Sequence, residues 1–172
     1  MKKILIVALL SVGIASAQYR DVSKLLKPLY KEVNGADFYG ASIEPNGMLH
    51  ITLEYNSTWA IIGAGNGYSA EDIMLSVDVS AIFKPARNIF KKLPEAKTMN
   101  VYFVVFEEVR DKYGNLSGKN KKILCKLTLT REKDRLLNWG HIDDLLTASF
   151  MSPTAKALLP YLDAFQFGET KK

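Results

Sequence analysis

Cysteine is nearly missing from this chain. Cys125 stands alone, so no internal disulfide is possible and the fold must be held by its core. Histidine is almost as scarce, with His50 and His141 the only two. A zinc centre takes roughly three or four converging ligands, so the run His141-Ile142-Asp143-Asp144 is not expected to hold metal. No Gly-x-Ser-x-Gly elbow occurs, and no close carboxylate pair marks acid–base work, so no catalytic residue is expected. A dinucleotide fingerprint is incomplete: in Gly63-Ala64-Gly65-Asn66-Gly67-Tyr68 a tyrosine occupies the third glycine position, and no βαβ context surrounds it. That stretch is expected to be a surface loop, and no cofactor is expected. Charge of one sign is not in strong excess. Twenty-three basic residues against 18 acidic give +5, which is no argument for a nucleic-acid partner. Long apolar runs are lacking too. The stretch Ile4 to Ile14, interrupted by Ser11 and Gly13, falls short of the roughly 20 residues that span a bilayer.

That short run has the anatomy of an export signal. Lys2 and Lys3 precede it, and Ala15-Ser16-Ala17 follows as a small-residue cleavage pattern. Residues 1–17 are therefore expected to be a cleaved signal peptide, with a periplasmic or extracellular destination. No cysteine follows the cut to carry a lipid anchor, and no transmembrane span is expected in the mature chain. Cleavage leaves 155 of the 172 residues and lowers the charge from +5 to +3, since Lys2 and Lys3 are lost. A chain of that size buries roughly 68–70% of its unfolded surface, enough for a core without disulfides. Residues 18–167 are expected to form one domain and 168–172 a frayed tail.

Along the mature chain, Val22, Leu25, Leu26, Leu29 and Val33 repeat at helical spacing, predicting a helix from Tyr19 to Val33 with Pro28 facing outward and Asn34-Gly35 as its stop. Phe38–Ile43 and Met48–Tyr55 flank Glu44-Pro45-Asn46-Gly47, a hairpin with good turn chemistry. Leu49, Ile51, Leu53 and Tyr55 alternate with His50, Thr52 and Glu54, so one sheet face should be wet. Trp59–Ile62 reads as a short strand. From Ser69, with Asp72 three residues on as an imperfect capping box, a long helix is predicted to Leu93. Ile73, Leu75, Val77 and Val79 also alternate, so a strand competes over Asp72–Ser80. The longer stripe Leu75, Val79, Ile82, Phe83, Ala86, Ile89, Phe90 and Leu93 favours helix, doubly buried at its start and bent at Pro85.

Met99–Val109 and Lys122–Thr130 form a second strand pair around a polar turn, Asp111 to Asn120. The first of these is apolar on both faces, as a central strand would be. Thr130 can cap a helix to Asn138, with Trp139-Gly140 as its stop and helical turns at Ile142–Ala148 and Thr154–Leu162. The fold class is thus α+β: helix–strand–strand–helix–strand–strand–helix, with an antiparallel sheet of about four to five strands packed against helices. Leu25-Leu26-Lys27-Pro28 and Ile82-Phe83-Lys84-Pro85 hint at two copies of one helix–strand–strand unit. In outline alone this is similar to small periplasmic inhibitor and PepSY-type modules, and the likeness carries no motif and hence no function.

Four local features stand out. Lys84, Arg87 and Lys91 share the outer face of the long helix and could join Lys92, Lys97, Lys119, Lys121, Lys122 and Lys126 in a cationic patch for anionic lipid or an acidic protein surface, although a plain solvated face is the leading expectation. Trp139, Phe150, Tyr161, Phe165 and Phe167 form an aromatic cluster expected to close the core. Cys125, on the apolar side of its strand, is expected to be a buried inert thiol. Asn56-Ser57-Thr58 and Asn115-Leu116-Ser117 match the glycosylation acceptor pattern, the first with Glu54 two positions earlier. The leading expectation is a small exported, non-enzymatic interaction protein whose partner is another envelope or secreted protein. A small-ligand or lipid carrier is the alternative, drawn from the glycine loop and the apolar excess over Ile73–Ala81. A small hydrolase or metalloenzyme comes third, and requires His50 or His141 beside a carboxylate in one cleft.

Overall fold

The structure is a computed structural model that describes residues 19–31, 33–55, 70–148 and 153–167. The segments where a signal peptide, a short strand with a glycine loop (within 56–69), the Asn56 acceptor and a frayed tail were expected, and Phe150, lie outside those residues.

The first hairpin forms as its alternation requires. Strands β2 (Ala36–Ile43) and β3 (Met48–Tyr55) pair antiparallel. They place Leu49, Ile51 and Leu53 wholly inside and His50, Thr52 and Glu54 on a half-buried opposite face. In the turn, Gly47 adopts φ +89°, and the Met48 N–H donates to Asn46 Oδ1 at 2.8 Å.

Helix α2 (Ala70–Lys92, 23 residues) resolves the competition over Asp72–Ser80 in favour of helix. The wider stripe wins because Leu75, Val79, Ile82, Phe83, Ala86, Ile89 and Phe90 all enter the core, while Ile73, Val77 and Ala81 bury a second flank near its start. Pro85 lies inside the helix and is buried. At the C-terminal end, Arg131 donates from Nε to the Ala96 carbonyl at 2.7 Å and from Nη2 to the Phe90 and Leu93 carbonyls at 2.9 and 2.7 Å. One guanidinium thus engages one open carbonyl of the last helical turn and two carbonyls just beyond it.

Because α2 carries the chain from the end of one hairpin back to the start of the next, strand β4 (Thr98–Arg110) lies parallel to β3, with Met48 opposite Thr98 and Glu54 opposite Val104. The sheet is therefore mixed, where an antiparallel one was expected. β4 then pairs antiparallel with β5 (Leu116–Thr130). Lying between β3 and β5 explains its two apolar faces, and Val104 is fully buried. The polar turn is shorter than its composition suggests. It spans Asp111–Asn115, where Asp111 Oδ1 accepts from the N–H groups of Tyr113 and Asn115 at 2.8 and 2.9 Å, and residues 116–121 are strand. Their side chains are exposed, so no apolar alternation betrays them.

Two short edge strands complete the sheet. β1 (Arg20–Asp21) pairs with β2, and β6 (Ala164–Phe167) pairs with β5, giving six strands in chain order among the described residues. The predicted first helix is accordingly shorter: one α turn, α1 (Ser23–Leu26), tightens into a 3-10 turn at Lys27–Tyr30. Pro28 sits outward in that 3-10 turn and cannot donate to a continuing helix. The tighter winding buries Val22, Leu26 and Tyr30 but leaves Leu25 exposed. The two Leu/Phe-Lys-Pro segments are thus built differently, since Pro28 is an exposed 3-10 residue and Pro85 a buried α-helical one. After β5, Thr130 caps α3 (Arg131–Leu136) by accepting from the Lys133 N–H at 3.2 Å. Trp139 and Gly140 open the next helix, α4 (Trp139–Ala148), where a stop was expected. A 3-10 segment, Pro153–Tyr161, leads into β6. Residues of α1, α2, α4 and the 3-10 segment share one core cluster with the inner sheet face. Among the described residues no helix is long and apolar enough to cross a membrane.

Candidate functional site

The first half of α2 brings a charge into the core. Asp78 is only 1% exposed. Its helical neighbours on either side, Met74, Leu75, Ala81 and Ile82, are all apolar, so the carboxyl is carried inward with the buried stripe. There it meets Tyr55 at the end of β3, whose hydroxyl donates to Oδ1, and Cys125 on β5, whose thiol lies beside it. The Tyr55 ring is fixed by stacking on Phe103 at 4.9 Å between centroids. Oδ2 is buried and has no hydrogen-bond partner among the described residues. Burial raises the Asp78 carboxyl to about 7, against the smaller opposing effect of the Tyr55 and Cys125 hydrogen bonds. The same burial, with Asp78 alongside, pushes the Tyr55 hydroxyl and the Cys125 thiol far up. Both remain protonated donors at neutral pH, and Cys125 is a thiol without nucleophilic character.

A cavity of about 390 Å³ opens against this carboxyl, lined by Leu75 and Asp78 from α2, Lys156 and Leu159 from the 3-10 segment, and Phe165 and Phe167 from β6. Among the described residues its walls are apolar apart from Asp78 and Lys156. Lys156 is largely exposed, and its Nζ lies 3.3 Å from Asp72 Oδ1. Phe167 is 62% exposed, so this part of the aromatic cluster borders an opening instead of closing the core. A concave apolar space with one convergent polar group is the usual form of a small-molecule site. The described residues that make it come from three separated segments, and only the Ile73–Ala81 stretch of α2 was tied to a ligand from the sequence. Asp78 did carry a local signal: an acid whose neighbours three and four positions away on both sides are apolar.

The cationic residues do not assemble as one patch. Lys84, Arg87 and Lys91 are exposed on α2, and the Arg87 guanidinium lies 5.3 Å over the Trp139 ring. Lys126 lies on the opposite sheet face, 5.6 Å over Tyr102. Lys119, Lys121 and Lys122 occupy the exposed arm of the long hairpin, with Lys122 Nζ 3.5 Å from Glu107. None of these residues lines the cavity.

His50 has the neighbouring carboxylate that a hydrolytic site would need, but not an open nitrogen. Nε2 lies 2.7 Å from Glu44 Oε1 and Nδ1 lies 3.2 Å from the Tyr102 hydroxyl. A ring with Nε2–H donating to Glu44 and Nδ1 accepting from Tyr102 satisfies both partners. The hydrogen bond from His50 is the main influence holding the Glu44 carboxyl below its ordinary range. The imidazole thereby ties the hairpin turn to β4. His141 is exposed on α4 with its ring edge-on to Tyr161 at 6.1 Å. Among the described residues no cluster of three or more His, Cys, Asp or Glu side chains could hold a metal.

No family model, no curated protein and no solved structure matches this chain significantly. What the fold and the site define is an α+β protein with a mixed sheet and an apolar cavity that ends on a buried carboxyl.

Proposed function

We propose that this protein is a small-ligand carrier, exported from the cell, that encloses the apolar part of its ligand between α2, the 3-10 segment and β6. The single observation that carries this reading is the cavity of about 390 Å³ with Leu75, Leu159, Phe165 and Phe167 in its walls. A space of that size suits a compact apolar body, since small-molecule pockets usually span roughly 300–1,000 Å³. Burial of such a body displaces water from apolar walls, at about 25 cal/mol for each Å² removed from solvent. The export signal read in residues 1–17 fits a carrier working outside the cytoplasm. Docking of an acidic partner on Lys84, Arg87 and Lys91 has less support, because Arg87 is already engaged with Trp139.

Calorimetric titration with 1-octanol tests the proposal. The wild-type protein is expected to bind one equivalent saturably. Leu159→Trp, which fills the cavity from its own wall, is expected to bind at least tenfold more weakly while melting as one cooperative unit. Equal binding by both proteins, or none by the wild type, contradicts it.

A further inference from the structure

We infer that the cavity selects amphiphiles whose polar head is a primary ammonium group, received by the unpartnered Oδ2 of Asp78. This rests on the carrier reading and assigns its ligand class. Oδ1 already accepts from Tyr55, and Cys125 lies beside the carboxyl, so both neighbours from the sheet side are donors. Once the carboxyl is ionised, what stays unsatisfied is acceptor capacity, on a buried atom of a residue that lines a space large enough for a ligand. An ammonium brings three donors and the missing opposite charge, so one group meets both needs. A carboxylate head would set two anions together, and a hydroxyl head would supply a donor without charge. Lys156, the one cation among the described lining residues, does not fill this role, since it is largely exposed and paired with Asp72.

Among the described residues, the charged and titratable groups around Asp78 are Tyr55 from β3, Cys125 from β5, Lys156 from the 3-10 segment and, on its own helix, Asp72 held by Lys156. Burial keeps the empty site's carboxyl protonated up to about pH 7. An alkylammonium keeps its charge to about pH 10, as a lysine side chain does. Binding of the ammonium must therefore expel a proton from Asp78 in acid solution, and affinity rises as pH rises towards 8.

Calorimetry with three probes of one chain length, octylamine, 1-octanol and octanoate, tests this on the wild type and on Asp78→Asn. At about pH 8, octylamine is expected to bind at least tenfold more tightly than 1-octanol, and octanoate more weakly than either. Asp78→Asn is expected to lose the preference for the amine while retaining 1-octanol, which shows that the cavity is intact. In the wild type alone, octylamine affinity is expected to rise at least tenfold between about pH 5 and pH 8 while that for 1-octanol stays flat. Octanoate binding as tightly as octylamine, an amine preference that survives Asp78→Asn, or an octylamine affinity independent of pH would each overturn the inference and leave the carrier reading standing. Failure of all three probes to bind the wild type removes both.

Discussion

Tyr55 donates its hydroxyl to Asp78, joining the last residue of β3 to the buried side of α2. The bond spans the part of the chain between the first hairpin and the long helix. It also leaves one oxygen of the carboxyl without a partner among the described residues. Stability and ligand choice therefore meet in a single side chain.

The pH dependence of folding should carry the mark of Asp78. Its carboxyl stands at about 7 in the folded protein against an ordinary value of 3.8. The folded state therefore holds a proton that the unfolded chain has already released. Stability from this group is complete below the unfolded value, falls as pH rises through the window between the two, and levels off above about 7. The loss across that window is at most about 4 kcal/mol. Chemical denaturation at about pH 5 and pH 8 should show the advantage of wild type over Asp78→Asn shrinking as pH rises. A gap independent of pH would mean that Asp78 titrates as an ordinary aspartate.

Tyr55→Phe keeps the stack on Phe103 and removes only the donor. The expected cost is about 1.5–3 kcal/mol at about pH 8, where the carboxyl is ionised, and less at about pH 5. Urea unfolding at both values checks this, and an equal cost at both would contradict the assignment.

Gly47 is the strictest backbone position in the first hairpin. Its φ is +89°, and a β-carbon there would lie 2.6 Å from the Glu95 carbonyl oxygen. The Lys97 N–H donates to the Gly47 carbonyl at 2.8 Å, so the turn cannot move away freely. Gly47→Ala is expected to destabilise by about 1–3 kcal/mol, read from the thermal midpoint. A neutral substitution would show that the turn and the Glu95 segment separate easily.

Much of the fold was legible because periodicity reports burial. The stripe from Leu75 to Phe90 fixed α2, and the alternation of β3 and β4 fixed the centre of the sheet. Legibility failed where burial was not one-sided. Residues 116–121 have both faces in water and read as loop, although they are strand. β6 is a four-residue edge whose Ala-Phe-Gln-Phe sequence is too short for a pattern. The parallel step between β3 and β4 follows from where α2 delivers the chain, which no local spacing encodes. Lys84, Arg87 and Lys91 were readable as an exposed face, and they are exposed. The cavity was not readable, because Leu75, Leu159, Phe165 and Phe167 meet only through tertiary packing. Asp78 also hid behind the competing strand alternation, in which it passed for one of the polar positions.

The central claim is that the space beside Asp78 is a binding site. Residue-resolved NMR titration of the full chain with 1-octanol tests it most directly. Saturable shifts should be confined to the methyls of Leu75 and Leu159, the rings of Phe165 and Phe167, and the Asp78 carboxyl carbon. Shifts that instead follow the neighbouring rings of exposed Tyr39 and half-buried Phe106, or no saturable shift at all, would contradict the account.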